Sequence, residues 1–199
     1  MEVAIILKSP EFSGKVDEDN VIYADAGYNH AQKIGKKSVL AVVGDFDSLG
    51  SAPLFEKTVQ LNVEKNFTDG ERAVRYAKEV GATKIVIYGA YGGKIEHVLG
   101  NIALLKIAKN LGLNAQIKDG DKITKLIDGA VSFSAKRGGG LSLIPYGGNC
   151  SFKSSKGLYY PLDNITLTPS DTRGISNVIE SEKVSIEIQS GQALVIYEK

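Results

Sequence analysis

The sequence predicts a chain of two halves, an α/β domain over residues 1–115 and a β-rich domain over residues 116–199. In the first half, short apolar runs typical of buried strands alternate with helical stretches, as in a parallel-sheet α/β domain. Helical spacing then ends at Ala115. Short β-rich runs between glycines follow it, which is the pattern of an antiparallel sandwich or barrel.

The elements of the first half follow from their apolar spacing. Strands are predicted at residues 3–7, 21–24, 39–43, 59–63 and 84–88. A short helix is predicted at residues 29–34, closed by Gly35. A second helix starts after Thr68, which forms a capping box with Glu71, and ends at Gly81.

A third helix is predicted from Ile95 to near Gly112. Its apolar residues recur at a spacing of three and four, which predicts one buried face: Ile95, Val98, Leu99, Ile102 and Leu105. In the second half, strands are predicted at residues 122–127, 130–134, 140–144, 158–162, 165–168, 183–188 and 193–197.

Composition and charge narrow the range of partners. The 199 residues carry a net charge of +1, so nothing points to nucleic acid or to a membrane surface. No run approaches the roughly 20 apolar residues of a membrane span, and residues 3–7 are too short for a signal peptide core. The single cysteine, Cys150, excludes an intrachain disulfide and fits a reducing compartment. We therefore expect a cytoplasmic protein without a nucleic-acid or membrane partner.

Residues 40–48 read LAVVGDFDS and contain the strongest chemical signal. The apolar run stops at Gly44, and Asp45 and Asp47 follow with one residue between them. Side chains two apart on an extended segment share a face, and two such carboxylates repel each other unless a cation lies between them. The carboxyl end of a strand in an open α/β sheet is also where ligands bind. We interpret the pair as a magnesium site that holds phosphate; the alternative is that Asp45 and Ser48 only form a turn or a cap.

Two further stretches in the first half carry candidate residues. Asp69 lies in the first helical turn after Thr68, where negative charge is stabilised, so it is either a ligand or only a helix-start residue. Residues 89–97, GAYGGKIEH, form a glycine-rich turn between strand and helix, whose backbone N–H groups and Lys94 suit a phosphate. This is not a Walker sequence, and such turns are often only turns. His97 either faces this site or is a partly buried histidine with satisfied hydrogen bonds.

The second half has one polar stretch between strands, residues 170–177, SDTRGISN. The hydroxyl of Ser176 and the amide of Asn177 can read the nitrogen edges of a small heterocycle. The alternative is a polar turn in which Gly174 and Asn177 take unusual backbone angles.

In their order along the chain, these motifs resemble those of the thiamine pyrophosphokinase family. The motifs are GDFDS after a strand, EKxxTDxE and YGAxGGxxxH at helix starts, and then GLxYPL and TRGISN in the β-rich half. The resemblance covers nearly the whole chain, and its specificity lies in the ordered combination. It implies transfer of a pyrophosphoryl group from ATP to the hydroxyl of thiamine, giving thiamine diphosphate and AMP. It also implies a homodimer, with ATP and Mg²⁺ on the α/β domain and thiamine in a cleft at the subunit interface.

The resemblance assigns roles to residues of this chain. The magnesium carboxylates match Asp45, Asp47 and Asp69, and the acidic residue near the nucleotide matches Asp25. The family's GGRxDH region matches Gly92, Gly93, Lys94, Glu96 and His97, and its thiamine-facing pair matches Ser176 and Asn177.

This chain departs from the family pattern in several places. Asn66 replaces a carboxylate, Lys94 an arginine and Glu96 an aspartate, and Ala26 stands where a glycine is common. A lysine gives up the bidentate grip of arginine on phosphate. The catalytic carboxylates Asp45, Asp47 and Asp69 are all kept.

The resulting hypothesis is that the three aspartates hold Mg²⁺ against the ATP triphosphate while thiamine attacks the β-phosphorus. Lys94 and the backbone at Gly92 and Gly93 neutralise developing charge, and one aspartate takes the hydroxyl proton. Two alternatives stay open. The chain is a pyrophosphokinase for another hydroxyalkyl heterocycle, such as a hydroxymethyl pterin, although Ser176 and Asn177 favour thiamine. Or it is a non-catalytic ATP- or thiamine-binding protein, as the departures suggest.

Overall fold

The structure is a computed structural model that describes residues 1–44, 58–60 and 67–199. The chain divides into two compact units, Met1–Gly120 and Asp121–Lys199. Parallel strands and helices make up the first unit and antiparallel strands the second, so the predicted fold class is confirmed. The division falls after Gly120, at a turn between two strands, rather than at residue 115.

The first unit is built on a parallel sheet. In its described part the strand order is β6-β5-β1-β2-β3-β4. The strands are β1 (Glu2–Ile6), β2 (Asn20–Ala24), β3 (Ser38–Gly44), β4 (Thr58–Gln60), β5 (Lys84–Tyr88) and β6 (Asn114–Asp119). Residues 3–6 of β1 are fully buried on both faces of the strand, as expected for a central parallel strand.

Four of the five strands predicted in this half are confirmed, and the fifth, predicted at residues 59–63, lies partly outside the described residues. Strand β6 was not predicted. Its sequence, NAQIKD, has only Ile117 fully buried, so no apolar run marks it.

The helices lie where the sequence predicts them. A 3-10 helix (Asp25–His30) leads into α1 (Ala31–Ile34), and α2 (Asp69–Glu79) and α3 (Ile95–Asn110) follow. The capping box of α2 is confirmed in part, because the Thr68 hydroxyl accepts a hydrogen bond from Glu71 N at 3.2 Å. In the described part of the chain, no helix is long and apolar enough to cross a membrane.

The predicted buried face of α3 is wrong over the first half of the helix. Ile95 and Leu99 are 69% and 62% exposed. The buried residues of α3 are Leu104, Leu105 and Ala108. A spacing of three and four marks an apolar stripe but does not say whether the same chain covers it.

The loop between β1 and β2 is fixed by hydrogen bonds. Tyr88, at the end of β5, donates from its hydroxyl to Glu18 Oε2 at 2.8 Å. Burial and this hydrogen bond raise the pKa of Tyr88, so the phenol keeps its proton. Two lysines also donate to loop carbonyls, Lys33 Nζ to Phe12 O at 2.6 Å and Lys37 Nζ to Val16 O at 3.1 Å. These hydrogen bonds therefore fix the conformation of the loop that follows β1.

The second unit is a sandwich of two antiparallel sheets. In the described chain their strand orders are β12-β9-β14-β7 and β11-β10-β13-β8. Side chains from both sheets fill one core, with Phe152, Val184 and Val195 among its most buried members. The strands are β7 (Lys122–Ile127), β8 (Ala130–Ser134), β9 (Gly140–Pro145), β10 (Cys150–Lys156), β11 (Ile165–Leu167), β12 (Asn177–Val178), β13 (Lys183–Ser190) and β14 (Ala193–Glu198).

One predicted strand of the second unit is wrong, and two real ones were not predicted. Residues 158–162 contain only a single bridge, between Leu158 and Ile179, and Pro161 has no N–H to continue a ladder. The missed strands are β10, whose sequence CSFKSSK is mostly polar, and the two-residue β12.

We expect Gly27→Ala to lower the free energy of unfolding by about 1–3 kcal/mol. A Cβ at Gly27 would lie 2.2 Å from the carbonyl oxygen of Ile6, so the 3-10 helix would have to move off β1. Urea unfolding measures the change. Gly100→Ala is the matched control, because a Cβ there meets nothing within 4 Å. That helical substitution should raise stability by up to about 1 kcal/mol. Equal losses in both variants would contradict the packing argument.

Candidate active site

The carboxyl ends of the central strands of the first unit meet at one edge of the sheet. Ile6 of β1 is aligned with Tyr23 of β2 and with Tyr88 of β5, and Ala24 of β2 is aligned with Val43 of β3. The segments that leave these strands therefore start side by side. In an open α/β sheet this edge is where ligands bind.

Asp25 is the first residue after β2 and has an unusual backbone. Its φ of 44° lies in the left-handed region, which non-glycine residues seldom adopt. Its Oδ1 atom is buried. A Cβ at Gly44 would lie 3.1 Å from the Cα of Asp25, so the end of β3 closely approaches this aspartate. Strain of this kind is often found at functional sites.

The predicted pair Asp45 and Asp47 follows Gly44 directly and lies outside the described residues. Its placement at this edge stays a prediction. Asn66 also lies outside them.

Asp69 opens α2 beside the end of β1. A Cβ at Gly70 would lie 3.1 Å from Leu104 Cδ1 and 3.5 Å from Leu7 Cδ2, so the first turn of α2 packs between α3 and the chain leaving β1. Asp69 Oδ1 is buried. Within residues 1–44 and 67–199, no three His, Cys, Asp or Glu side chains are grouped to hold a metal ion.

The glycine-rich turn after β5 packs on the chain leaving β1. Gly89, Gly92 and Gly93 all have positive φ, at 65°, 89° and 75°. A Cβ at Gly89 would lie 2.4 Å from Leu7 O, and one at Gly92 would lie 2.9 Å from Ser9 Oγ. Only glycine fits such contacts without movement.

A hydrogen bond from α3 holds this turn from its other side. Asn101 Nδ2 donates to the carbonyl oxygen of Ala90 at 2.9 Å. The sequence analysis did not predict a role for Asn101. The available signal was a polar residue one helical turn after His97 in an otherwise apolar part of α3, which indicates a hydrogen-bond partner nearby. Lys94 is the N-cap residue of α3, and Lys94, Glu96 and His97 are exposed. His97 is thus not a partly buried histidine.

In the second unit, residues 168–177 form a turn that is held by internal hydrogen bonds and by packing on β9. Asp171 Oδ2 accepts hydrogen bonds from the backbone N and the hydroxyl of Thr168, at 2.8 and 2.9 Å, and these bonds lower the pKa of Asp171. A Cβ at Gly174 would lie 2.1 Å from Leu143 O, so the stretch is pressed onto β9. Ser176, not Gly174 or Asn177, takes the left-handed backbone, with φ 62°.

The two predicted substrate residues differ in their surroundings. Ser176 is exposed, and its backbone N donates to Ser142 Oγ at 3.1 Å. Asn177 is only 6% exposed, and its Oδ1 accepts from Tyr160 N at 3.0 Å. Both residues line a cleft of about 380 Å³ together with Lys122, Ser142 and Glu198. The second unit thus brings Ser176 and Asn177 together, and the first unit brings Asp25, Asp69 and the glycine-rich turn to one edge.

Comparison with known proteins gives matches over both units. The family model described as "Thiamin pyrophosphokinase, catalytic domain" matches residues 16–117, and "Thiamin pyrophosphokinase, vitamin B1 binding domain" matches residues 131–193. A thiamine pyrophosphokinase of Bacillus subtilis is 29% identical over 198 residues, covering 94% of this chain and 91% of the relative.

Solved structures share the fold. The crystal structure of thiamine pyrophosphokinase from Bacillus subtilis has a TM-score of 0.86 at 23% identity and covers 100% of this chain and 99% of its own. Thiamin pyrophosphokinase from Candida albicans has a TM-score of 0.77 at 16% identity, covering 100% and 89% of the two chains.

We expect Ser176→Gly to raise the free energy of unfolding by about 1 kcal/mol, because glycine adopts positive φ without the clash of a Cβ. Thermal or urea unfolding measures the change. Ser134→Gly, at an exposed position in β8, is the control and should lose about 0.5–1 kcal/mol. A loss of stability in both variants would mean that the backbone at Ser176 is not strained.

Proposed function

Because the chain belongs to the thiamin pyrophosphokinase family, we propose that it transfers the pyrophosphoryl group of ATP to the hydroxyl of thiamine. The observation that carries this proposal is that the family's two domain models match the two units in order. We propose that residues 1–115 bind ATP and Mg²⁺ and that residues 116–199 bind thiamine.

The proposed step makes one bond and breaks one. The hydroxyl oxygen of thiamine attacks the β-phosphorus of ATP, and the bond from that phosphorus to the oxygen shared with the α-phosphate breaks. AMP leaves with the shared oxygen. The hydroxyl proton passes to the carboxylate of Asp45, Asp47 or Asp69.

The acidic residues suit Mg²⁺ by their chemistry. Carboxylate oxygens are the ligands that this ion prefers, and Asp69 offers one at the start of α2, at the same sheet edge as Asp25. We propose that Asp45, Asp47 and Asp69 hold the ion and that Asp25 lies near the nucleotide. When bound, Mg²⁺ neutralises charge on the phosphate oxygens.

The glycine-rich turn supplies the remaining contacts to phosphate. Backbone N–H groups of Gly92 and Gly93, just before α3, suit phosphate oxygens. Lys94 adds a point charge, with Glu96 and His97 beside it on the first turn of α3. Asn101 keeps the turn in place through Ala90. In the second unit, we propose that the segment that carries Ser176 and Asn177 forms the thiamine side of the site.

The family resemblance also implies a homodimer with the thiamine cleft at the subunit interface, and we propose the same assembly here. The exposed apolar pair Ile95 and Leu99 on α3 supports it, because grouped apolar side chains on a surface often mark an interface. Sedimentation at several concentrations tests the assembly. A cytoplasmic location remains a prediction from the sequence.

The decisive experiment measures AMP release from MgATP with and without thiamine, with the product identified by mass. The proposal requires thiamine-dependent AMP together with thiamine diphosphate. Turnover with a hydroxymethyl pterin alone would instead identify the other acceptor class. Thiamine binding without AMP from either acceptor would identify a non-catalytic binding protein.

We expect Asp69→Asn to lower kcat/KM by at least about a hundredfold, because it removes a carboxylate from the proposed metal site. More Mg²⁺ should be needed for half-maximal rate. The control is Asp19→Asn, an exposed residue before β2. If Asp69 only starts the helix, the variant would keep its turnover and lose about 0.5 kcal/mol of stability.

A further inference from the structure

We propose that Asn177 is a positioning residue, whose side-chain amide fixes the backbone of an exposed tyrosine pair, Tyr159 and Tyr160, as an aromatic surface for the substrate ring. The proposal rests on the proposed function, since it takes thiamine as the ligand. In this proposal Asn177 does not hydrogen-bond to the substrate but acts on it through Tyr160.

The amide of Asn177 is engaged on both of its ends by the main chain. Its Oδ1 accepts from Tyr160 N at 3.0 Å and from Val178 N at 2.8 Å, and its Nδ2 donates to Tyr160 O at 2.8 Å. The side chain therefore bonds both main-chain groups of Tyr160, as a neighbouring strand would. With 6% of its surface exposed, Asn177 has little left to offer a ligand.

These bonds extend a short ladder by one residue. Tyr159 N donates to Val178 O at 2.9 Å, and Glu180 N donates to Gly157 O at 2.9 Å, on either side of the bridge between Leu158 and Ile179. Main-chain pairing runs from Gly157 to Tyr159, and Pro161 follows. At Tyr160 the side chain of Asn177 takes the place of a main-chain partner.

The two tyrosines held in this way are open to solvent. Tyr159 and Tyr160 are 58% and 61% exposed, and their rings meet edge to face, with centroids 4.8 Å apart at 88°. Such a corner offers an aromatic face beside a second ring. Aromatic faces attract cations and flat heterocycles, and thiamine is a cation with flat rings. The chain has no tryptophan, so an aromatic wall must come from Tyr or Phe.

Asparagine suits this role because one planar group carries an acceptor and a donor. Aspartate keeps the acceptor for Tyr160 N but loses the donor to Tyr160 O. Serine does not reach both groups. A graded series from Asn to Asp to Ala therefore separates the loss of one hydrogen bond to Tyr160 from the loss of both.

The first test measures the hydrogen bonds between the Asn177 side chain and the main chain of Tyr160, and it does not depend on enzyme activity. Amide hydrogen exchange of the intact protein should show faster exchange at Tyr160 in Asn177→Ala, by roughly tenfold if one hydrogen bond of ordinary strength is lost. Asn149→Ala, in an exposed turn before β10, is the matched control and should change nothing at Tyr160. Unchanged exchange in Asn177→Ala would overturn the proposal. A melting curve shows whether each variant is folded.

The second test asks whether Asn177 acts through Tyr160. We expect Asn177→Ala to raise KM for thiamine roughly tenfold, with kcat and KM for MgATP little changed. Tyr160→Ala, at an exposed position, should do the same, and the double variant should be no worse than Tyr160→Ala alone. Asn177→Asp should lie between wild type and Asn177→Ala.

Additive losses in the double variant would overturn the proposal, because they would show that Asn177 acts independently of Tyr160. If the wild type releases no AMP with thiamine, the proposed function fails by that result. Calorimetric titration then measures the affinity of the same variants for thiamine. The comparison of single and double variants by affinity tests the role of Asn177 without any turnover. If Asn177→Ala does not fold, Asn177→Asp and Tyr160→Ala carry both tests.

Discussion

The close approach of three glycines to the chain leaving β1 is the constraint on which the first unit depends. Residues 3–6 of β1 are buried on both faces. A Cβ at Gly27 or Gly89 would meet the backbone oxygen of Ile6 or Leu7, and one at Gly92 would meet the side chain of Ser9. These glycines belong to segments that follow β2 and β5. At each contact there is no room for a Cβ. These contacts bring the starts of separate loops to one sheet edge, so Asp25 and the glycine-rich turn are neighbours there because of backbone packing.

The second unit reaches similar order with one glycine and one amide. Gly174 presses the polar turn onto the carbonyl of Leu143, and Asn177 bonds the main chain of Tyr160. Gly174 and Asn177 both make their contacts with the backbone. The side chains of Ser176, Tyr159 and Tyr160 stay exposed to solvent. The polar stretch is thus a rigid support on which a recognition surface can be carried.

Sequence reasoning reached the architecture and most elements because apolar spacing reports burial directly. It missed β6 and β10 because their strands carry one or a few buried apolar residues among polar ones, and it misplaced a strand at residues 158–162, where Pro161 ends main-chain pairing. It assigned Asn177 to the substrate because an amide beside a hydroxyl suits a heterocycle. Only coordinates show which groups that amide bonds. The sequence does not show the hydrogen-bond partner of Asn101 either, so no role was predicted for it. Asp45 and Asp47 lie outside the described residues, and their assignment rests on the sequence.

The parallel pairing of β1 also has a consequence for biosynthesis. β1 is translated before its partner β5, which aligns Tyr88 with Ile6. The turn that follows β2 and the start of α2 are both made between these two strands. Until β5 is made, the edge of β1 that pairs with it has no neighbour, and residues 3–6 of this strand are all apolar. A nascent chain of this design exposes an unpaired strand edge for a long interval, and it gains from chaperones that cover that edge.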